Sequence, residues 1–368
     1  FNGKNIALIG EDRETTIIDG GGSGNVVRIL DSDDASIKNL TLQNGNANDV
    51  FGGGIYCFNS NLLIENLKVL SNQSDDYGGG VSIENQSNVT ISNSLITDND
   101  STQGAGIWIN DSNVEINLSV VSNNLITQGL NINDGGGIYI KDSVFLINNS
   151  SIDNNRATDG GGIYIEDSDG SITGSKIINN TSSSGGGIFI EGKQEICNIN
   201  INFSEINNNS AVGTSNWTGN GGGIWIKDSN INISNATIVN NSAEDNGGAI
   251  YQIPVSDIYF DNSIIAYNTS YNGESNAIYQ TTNQSTSTYI YYSDFYNPYQ
   301  GYNDSDWGGT VLQINGNITL DPLFTDPDNG GYTLQSTSPC IDAGDPVSDP
   351  DPDGTIADMG AYYFHQIP

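Results

Sequence analysis

The sequence predicts an all-β protein, a single-stranded right-handed parallel β-helix with about 25 residues and three short strands in each rung. Two observations predict this fold. A glycine-rich corner, followed by an aliphatic–aromatic–aliphatic strand, recurs along most of the chain. The residues between these strands are mostly Asn, Asp, Ser, Thr and Gly, which favour turns and are poor helix formers.

The glycine corner is the strongest repeat in the sequence. Its copies begin at Gly52, Gly78, Gly104, Gly135, Gly160, Gly185, Gly221 and Gly247, with a degenerate copy at Asn276. The aliphatic residues that follow, from Ile55 to Ile278, are separated by 26, 26, 31, 25, 25, 36, 26 and 28 residues. This period is too short for the blades of a β-propeller, and no helical periodicity accompanies it.

Each rung contains three short strands, as in Ile163–Ile165, Ser171–Thr173 and Lys176–Ile178. Such strands bury enough surface only if the next rung stacks on them and supplies backbone partners. Asparagine tolerates the left-handed region and can bond along a stack of equivalent turns. We therefore expect an internal asparagine ladder. Its predicted members are Asn72, Asn99, Asn123, Asn154, Asn180, Asn208, Asn240 and Asn268.

The composition excludes several classes of partner. Ten basic and 44 acidic residues give a formal net charge of −34, which repels nucleic acid and anionic lipid and attracts divalent cations. No run of 18 apolar residues occurs, so no transmembrane segment is expected. The cysteines Cys57, Cys197 and Cys340 are too widely spaced for a disulfide or metal pattern, and we expect three small buried residues.

An outward column of aromatic residues is the main candidate binding surface. The aliphatic residues of each corner strand face inward, so the aromatic residue between them must face outward. Two long insertions, Leu125–Asp134 and Ser210–Asn220, flank the middle of this column and carry an exposed aromatic, Trp217. The candidate ligand-binding residues are Trp108, Tyr139, Tyr164, Phe189, Trp217 and Trp225. The alternative is that the stacked rings only stabilise the sheet.

An acidic loop near the C-terminus is a candidate calcium site. Asp349, Asp351 and Asp353 alternate and precede Gly354, as the carboxylates and bending glycine of calcium loops do. Asp358 could supply a further ligand. We expect calcium to be structural here, although an acidic turn without an ion is the alternative.

These features resemble the secreted bacterial right-handed parallel β-helix repeat proteins of the pectate-lyase-like superfamily. The resemblance spans nearly the whole chain, and its most specific part is the C-terminal region, with Asp321–Phe324, Ser338–Gly344 and Asp358–Tyr362. It implies β-helix rungs over residues 1–300. Residues 301–368 would form the closing rungs and a cap with the acidic loop, in the same continuous domain. Members of this superfamily include lyases, hydrolases and adhesins, so the resemblance implies a fold rather than an activity.

Catalytic arrangements are scarce in the sequence. His365 is the only histidine, so a nucleophilic triad is not expected. Lys141 and Lys227 share a rung phase, and Arg156 and Lys176 could approach each other, but solvated turn positions explain all four. Acidic residues in the adjacent corners at 75–76 and 98–100 could supply a carboxylate pair.

The sequence therefore predicts an extracellular or cell-surface module that binds polysaccharide, or associates with its own copies, through the aromatic face. The alternative is a polysaccharide-degrading enzyme, either a carboxylate-based glycoside hydrolase or a calcium-dependent lyase.

Overall fold

A computed structural model describes residues 1–48, 51–127, 133–213, 218–253, 255–273, 275–281, 287–297, 305–308 and 311–366. Over these residues the chain winds into a right-handed parallel β-helix, which confirms the predicted fold class. Three long parallel sheets run the length of the coil, and each rung contributes one strand to each sheet. No helix within the described residues is long and apolar enough to cross a membrane.

The first sheet contains the strands that follow the glycine corners. They are Val27–Leu30, Ile55–Phe58, Val81–Glu84, Ile107–Asn110, Ile138–Lys141, Ile163–Glu166, Ile188–Glu191, Ile224–Lys227, Ile250–Gln252, Ser275–Gln280 and Ser305–Gly308. The strands pair in register, so that Ile138, Ile163 and Ile188 lie in one column and are fully buried. The interior of the coil is therefore a stack of aliphatic side chains.

The second and third sheets complete each rung. The second sheet consists of Ala7–Ile9, Ala35–Lys38, Asn61–Glu65, Asn88–Ser92, Asn113–Asn117, Val144–Asn148, Asp169–Thr173, Cys197–Asn202, Ser229–Ser234, Asp257–Asp261, Ser287–Tyr291 and Val311–Asn315. The third sheet consists of Ile17–Asp19, Thr41–Gln43, Lys68–Leu70, Leu95–Thr97, Val120–Ser122, Ser151–Asp153, Lys176–Ile178, Glu205–Asn207, Thr237–Val239, Ile264–Ala266 and Asp294–Tyr296.

Shorter elements lie at the corners and in the C-terminal region. Two-residue parallel strands occur at Asn46–Ala47, Gln73–Ser74, Thr181–Ser182, Ser210–Ala211, Ser242–Ala243 and Thr269–Ser270. Phe324–Asp326 and Gly331–Leu334 form an antiparallel pair around a 3-10 turn at Pro327–Asn329.

The corner glycines permit the close approach of successive rungs. Gly160 has a φ of 62°, in the region that favours glycine. A Cβ on the next residue, Gly161, would lie 2.6 Å from the carbonyl oxygen of Gly186 in the following rung. No side chain fits in that space, so the rungs could not stack at this distance without the glycine.

The asparagine ladder exists, but half of its predicted members are displaced by one residue. The side chains that form it belong to Asn72, Asn99, Asn124, Asn155, Asn180, Asn209, Asn241 and Asn268. The predicted Asn123, Asn154, Asn208 and Asn240 instead precede the ladder residue and adopt φ values of 53–54°. In each Asn-Asn pair the first residue makes the left-handed turn, and the second points into the coil.

Two ladders of serine hydroxyls, which sequence reasoning missed, close the other corners. In one, the backbone N–H of Ser112 donates to Oγ of Ser143, and that of Ser143 donates to Oγ of Ser168, at 3.1 and 3.0 Å. Cys197 takes the next place, and its Sγ accepts the N–H of Ser168 at 3.4 Å. All three cysteines are buried and free, as expected.

The C-terminal residues cover the flank of the coil. From Asp321 onward the chain packs on the outer face of the third sheet, where Val239, Ile264 and Ala266 meet Phe324 and Met359. The contact extends back several rungs, because Tyr362 Oη donates to Glu205 Oε2 at 2.6 Å and lies beneath the Lys176 ammonium group. Of the predicted closing rungs and cap, Ser305–Gly308 and Val311–Asn315 are strands of the long sheets, and the described residues from Asp321 onward form a strap along one side of the coil.

The ladder predicts a large difference between two neighbouring asparagines. Asn155 accepts the backbone N–H and the side-chain Nδ2 of Asn124, both at 3.0 Å, inside the coil. Asn155→Ala leaves these buried donors without a partner and should lower the free energy of unfolding by about 2–3 kcal/mol. Asn154→Gly, at an exposed left-handed position, should change it by less than about 0.5 kcal/mol. Urea denaturation followed by circular dichroism measures both, and equal losses would contradict the assignment.

A buried aspartate makes the strap sensitive to pH. Asp294 is fully buried and accepts hydrogen bonds from the Leu320 N–H and the Cys340 thiol. Burial raises the pKa of this carboxyl to about 7. Because the folded pKa exceeds the unfolded value of about 4, the folded protein binds the proton more tightly, and stability falls as the pH rises from about 4 to 7.

We expect Asp294→Asn to remove this pH dependence. The amide keeps the size of the side chain and cannot ionise, so the variant should be the more stable protein at pH 8 and should lose that advantage near pH 4. Thermal melts of both proteins across this range measure the difference. A parent protein with the same dependence on pH as the variant would contradict the prediction.

Candidate functional site

The predicted aromatic column is a continuous ring stack on the outside of the first sheet. Ring centroids are 4.5 Å apart for Trp108 and Tyr139, 4.7 Å for Tyr139 and Tyr164, and 4.9 Å for Tyr164 and Phe189. Phe189 and Trp225 follow at 3.9 Å. The column continues to Tyr251 and Tyr279 at spacings of 6.3 and 5.2 Å.

In the strand Val81–Glu84 the column position is occupied by Ser82 instead of an aromatic residue, and a tyrosine from another position fills this gap. Tyr77, which precedes the glycine corner, stacks on Trp108 at 4.3 Å and on Phe51 at 5.0 Å. The stack therefore does not end at this rung. Tyr77 lies outside the repeated strand motif, so the sequence pattern did not reveal its role.

The rings cover one another's faces. Trp108, Tyr139, Tyr164 and Phe189 are only 3–6% exposed, and Trp225 is half-buried. A sugar ring therefore meets ring edges here rather than an open stacking platform. The sixth predicted residue, Trp217, lies outside the described residues. The assignment of all six residues to ligand binding stays a prediction.

A cleft of about 430 Å³ opens over the stack. Its walls combine ring edges with amide, carboxyl and ammonium groups. They are formed by Tyr77, Gln103, Trp108, Asn110, Asp134, Tyr139, Lys141, Glu166 and Lys193. The indole Nε1 of Trp108 is buried near Glu84 and makes no hydrogen bond of good geometry within the described residues.

Glu166 is the charged centre of the cleft. Its carboxylate accepts hydrogen bonds from Lys141 Nζ at 2.7 Å, Lys193 Nζ at 2.9 Å and Tyr139 Oη at 2.7 Å. Burial by itself would raise the pKa of Glu166, but the hydrogen bonds from Lys141, Tyr139 and Lys193 outweigh it and lower the pKa to about 2. Glu166 therefore stays ionised at neutral pH.

Two glutamates flanked by two lysines form a column along this edge of the stack. Lys141, Glu166, Glu191 and Lys227 are register neighbours in successive rungs. Lys227 Nζ lies 2.5 Å from the Glu191 carboxylate, and Lys193 Nζ lies 3.4 Å from the same carboxylate. The shared phase of Lys141 and Lys227 was visible in the sequence. Lys193 belongs to an insertion after the strand Ile188–Glu191, so the repeat pattern did not predict its position.

Asp134 lines the cleft, and Asp159 lies beside it in the next rung. Asp134 and Asp159 each precede a glycine corner and form a parallel bridge in adjacent rungs. Burial, followed by the charge of Asp159, raises the pKa of Asp134 to about 7. Burial and the charge of Glu191 raise the pKa of Asp159 to about 6, although Lys193 opposes this. Within the cleft, Asp134 therefore holds its proton to a much higher pH than Glu166 does.

The predicted calcium ligands are engaged by the protein itself. Asp351 accepts the N–H of Asp358 at 2.8 Å, and Asp358 accepts the N–H groups of Asp342 and Phe364 at 2.7 and 2.6 Å. Asp353 accepts the N–H of Gln366 at 2.7 Å, and Asp349 is exposed. Within the described ranges no group of three or more His, Cys, Asp or Glu side chains is arranged to hold a metal ion. Calcium binding at this loop stays a prediction.

The other catalytic candidates that the structure describes are engaged elsewhere in the protein. Asp100 is engaged by Thr127, whose N–H donates to its carboxylate at 2.9 Å. His365 is exposed and lies 3.9 Å from Asp353. Lys176 pairs with Glu205 under the strap.

A second groove, of about 410 Å³, lies at the corner between the first and second sheets. Asp167 is nearly buried there, and its Oδ1 accepts the N–H groups of Lys193, Gln194 and Glu195 at 2.6, 2.8 and 3.1 Å. These bonds fix the insertion that carries Lys193. We interpret Asp167 as the residue that positions this insertion over the cleft.

Comparison with known proteins supports the fold. A profile of the right-handed β-helix region matches residues 2–145, and one of a domain of unknown function (DUF5123) matches residues 231–347. The repeat of the Chlamydia polymorphic membrane protein matches residues 147–166. A search of curated proteins found no match.

Among solved structures, the crystal structure of the pectate lyase Pel9A is similar, with a TM-score of 0.47 and 13% identity over 86% of this chain and 89% of that chain. The match to the right-handed β-helix region agrees with the parallel coil of the structure, so this chain is a right-handed parallel β-helix protein.

The ion-pair network predicts a measurable loss on neutralising its centre. Glu166→Gln leaves Lys141 and Lys193 without their shared carboxylate and should lower the free energy of unfolding by about 2 kcal/mol at pH 7, because both lysines stay partly hydrated. Since the folded pKa of Glu166 is depressed, the difference should vanish as the pH falls from about 4 towards 2.

The matched control is the exposed pair of Lys38 and Glu65, at 2.8 Å. Glu65→Gln should change the stability by less than about 0.5 kcal/mol. Urea denaturation at several pH values measures both variants. A Glu166→Gln protein as stable as the control would show that the network is not structural.

Proposed function

We propose that this protein is an extracellular or cell-surface β-helix module that binds neutral polysaccharide in the cleft over the aromatic stack. The observation that carries the proposal is the convergence of amides, carboxyl groups and lysines over a floor of ring edges. Sugars offer hydroxyl groups to such polar side chains and C–H faces to aromatic edges. An extended cleft along a regular sheet suits a ligand that is itself a repeating chain.

The charge of the site favours a neutral ligand over an anionic one. The lysines near the cleft are already paired with Glu166 and Glu191. The chain as a whole has a net charge of −34, which repels polyanions. A neutral polysaccharide meets neither obstacle.

Polysaccharide is also favoured over self-association through this face. Because the stacked rings are largely buried, the column presents little apolar surface to a second copy. Docking of two such acidic chains would also bring like charges together. Sedimentation velocity of the parent protein tests the alternative, since association through the stack would appear as dimers or larger species.

The proposed location rests on two supports. The strong acidity and polar composition suit a calcium-bearing exterior, and the matched repeat carries the name of a polymorphic membrane protein. Labelling of intact cells with an antibody against the chain would test it.

We expect Asn110→Ala to weaken binding about fivefold, because its side chain lines the cleft and one lost hydrogen bond is worth about 1 kcal/mol. The matched control is Asn117→Ala, on the outside of the second sheet in the same rung. Titration calorimetry with a panel of β-glucan, xylan, mannan and amylose measures the affinities.

Two outcomes would contradict the proposal. One is that no polysaccharide of the panel binds to the parent protein. The other is that Asn110→Ala binds as tightly as Asn117→Ala and the parent.

A further inference from the structure

We propose that the polysaccharide bound by the cleft contains amino sugars, and that a free ammonium group of the sugar chain pairs with the Asp134 carboxylate. This inference rests on the proposed function, because it requires a sugar chain in the cleft. It deepens that function by naming the substrate class and by assigning a residue that determines specificity.

One wall of the cleft is balanced in charge by the protein itself. Lys141 Nζ lies 2.7 Å and Lys193 Nζ 2.9 Å from the Glu166 carboxylate. Lys193 Nζ also lies 3.4 Å from the carboxylate of Glu191. A ligand gains little by offering a charge to this wall, because each charged group here already has a partner of opposite sign.

The other wall contains a carboxyl group without such a partner. It consists of residues that precede the glycine corners, and Gln103 and Asp134 hold this position in adjacent rungs and both line the cleft. The backbone N–H of Gly104 donates to the carbonyl oxygen of Asp134 at 3.0 Å, which fixes the two rungs against each other. Asp134 is only 7% exposed and forms no ion pair in the part of the chain that the structure describes.

A nearly buried carboxylate without a counterion is costly. Loss of hydration raises the free energy of the ionised form, and the neighbouring charge of Asp159 adds repulsion. Both effects raise the pKa of Asp134 to about 7, although the charge of Lys193 and a backbone N–H of Asp159 oppose them. An ammonium group placed against this carboxylate supplies the missing opposite charge in a charge-assisted hydrogen bond.

A second polar group of the cleft favours the same class of ligand. Trp108 also lines the cleft and is only 6% exposed, and its indole N–H makes no hydrogen bond of good geometry in the described ranges. The nearby Glu84 carboxylate already accepts the Ser82 hydroxyl at 3.1 Å. A buried donor of this kind favours a ligand with an acceptor oxygen. A partly acetylated amino-sugar chain offers both groups, an acetamido or hydroxyl oxygen as acceptor and an ammonium group as the cation.

Other cationic ligands fit this cleft less well. A divalent cation needs several oxygen ligands around one point, and no group of three or more His, Cys, Asp or Glu side chains is so arranged among the described residues. A basic peptide would bring further positive charges against Lys141 and Lys193. An amino-sugar chain instead carries single ammonium groups on an otherwise neutral backbone, which matches one unpaired carboxylate beside a balanced wall.

The test uses the full chain and two β-1,4-linked oligomers of N-acetylglucosamine of equal length, one fully acetylated and one with a single free amino group. Titration calorimetry at about 0.15 M salt screens the general attraction of the acidic chain for cations beyond about 8 Å. Below neutral pH the amino group carries its proton. The parent protein should then bind the oligomer with the free amino group at least about tenfold more tightly, because hydrogen bonds between charged groups are the stronger ones.

Asp134→Asn removes the charge and keeps the size of the side chain, so the ratio of the two affinities should fall below about twofold. The matched control is Asp153→Asn, on the outside of the third sheet, which also removes one negative charge and should keep the preference of the parent. Trp108→Phe keeps a ring in the stack without the N–H donor and should weaken binding of both oligomers about fivefold.

A second measurement on the parent protein keeps the assignment testable if a variant folds poorly. A water-soluble carbodiimide should join the amino group of the bound oligomer to the Asp134 carboxyl through an amide bond, which peptide mass spectrometry identifies. Coupling that is no more frequent at Asp134 than at the exposed carboxyl groups would contradict the assignment.

The outcomes separate this inference from the proposed function. Equal affinity of the parent for both oligomers overturns the amino-sugar inference and leaves the polysaccharide module intact. A preference that survives in Asp134→Asn as it does in Asp153→Asn reflects the overall charge and overturns the assignment of Asp134. Failure of the whole polysaccharide panel to bind removes the proposed function, and this inference with it.

Discussion

The close stacking of successive rungs is the constraint on which the rest of the structure depends. At the corners the backbone of one rung approaches the next so closely that a single Cβ on Gly161 would lie 2.6 Å from a carbonyl oxygen. This proximity satisfies the backbone groups of each strand through the rungs above and below. It also converts residues one period apart in sequence into neighbours in space, so a repeated residue becomes a column of identical contacts.

Buried polar columns follow from that constraint. A turn inside a solenoid has backbone N–H groups that neither strand pairing nor water reaches, and an unpaired group of this kind costs free energy. The asparagine and serine ladders supply the missing acceptors at each corner. Cys197 occupies one serine position and still accepts the N–H of Ser168, so the position requires an acceptor rather than one residue type. Because these ladders satisfy the buried N–H groups, a chain with so many polar residues can still form a stable core.

The candidate site shows how function can be added to such a scaffold without altering it. The aromatic stack and the column of lysines and glutamates occupy outward positions of the first sheet, while the aspartates lie just before the glycine corners. Asp167 holds the insertion that carries Lys193, and this lysine pairs with Glu166 and Glu191 in two adjacent rungs. The chain has 44 acidic and only ten basic residues, yet three lysines gather here. Each of the three pairs with the carboxylate of Glu166 or Glu191, which balances its charge.

The sequence by itself determined the coil, the register of the glycine corners and the outward column of aromatics, because each depends only on a repeated local pattern. It placed Asn123 and Asn154 in the ladder, one residue early, because either residue of an Asn-Asn pair can make the left-handed turn and only stacking decides which points inward. Tertiary structure alone brought Lys193 to Glu166 and folded the C-terminal strap along the third sheet. Those contacts involve segments outside the repeat, so the periodicity of the sequence gives no information about which residues meet.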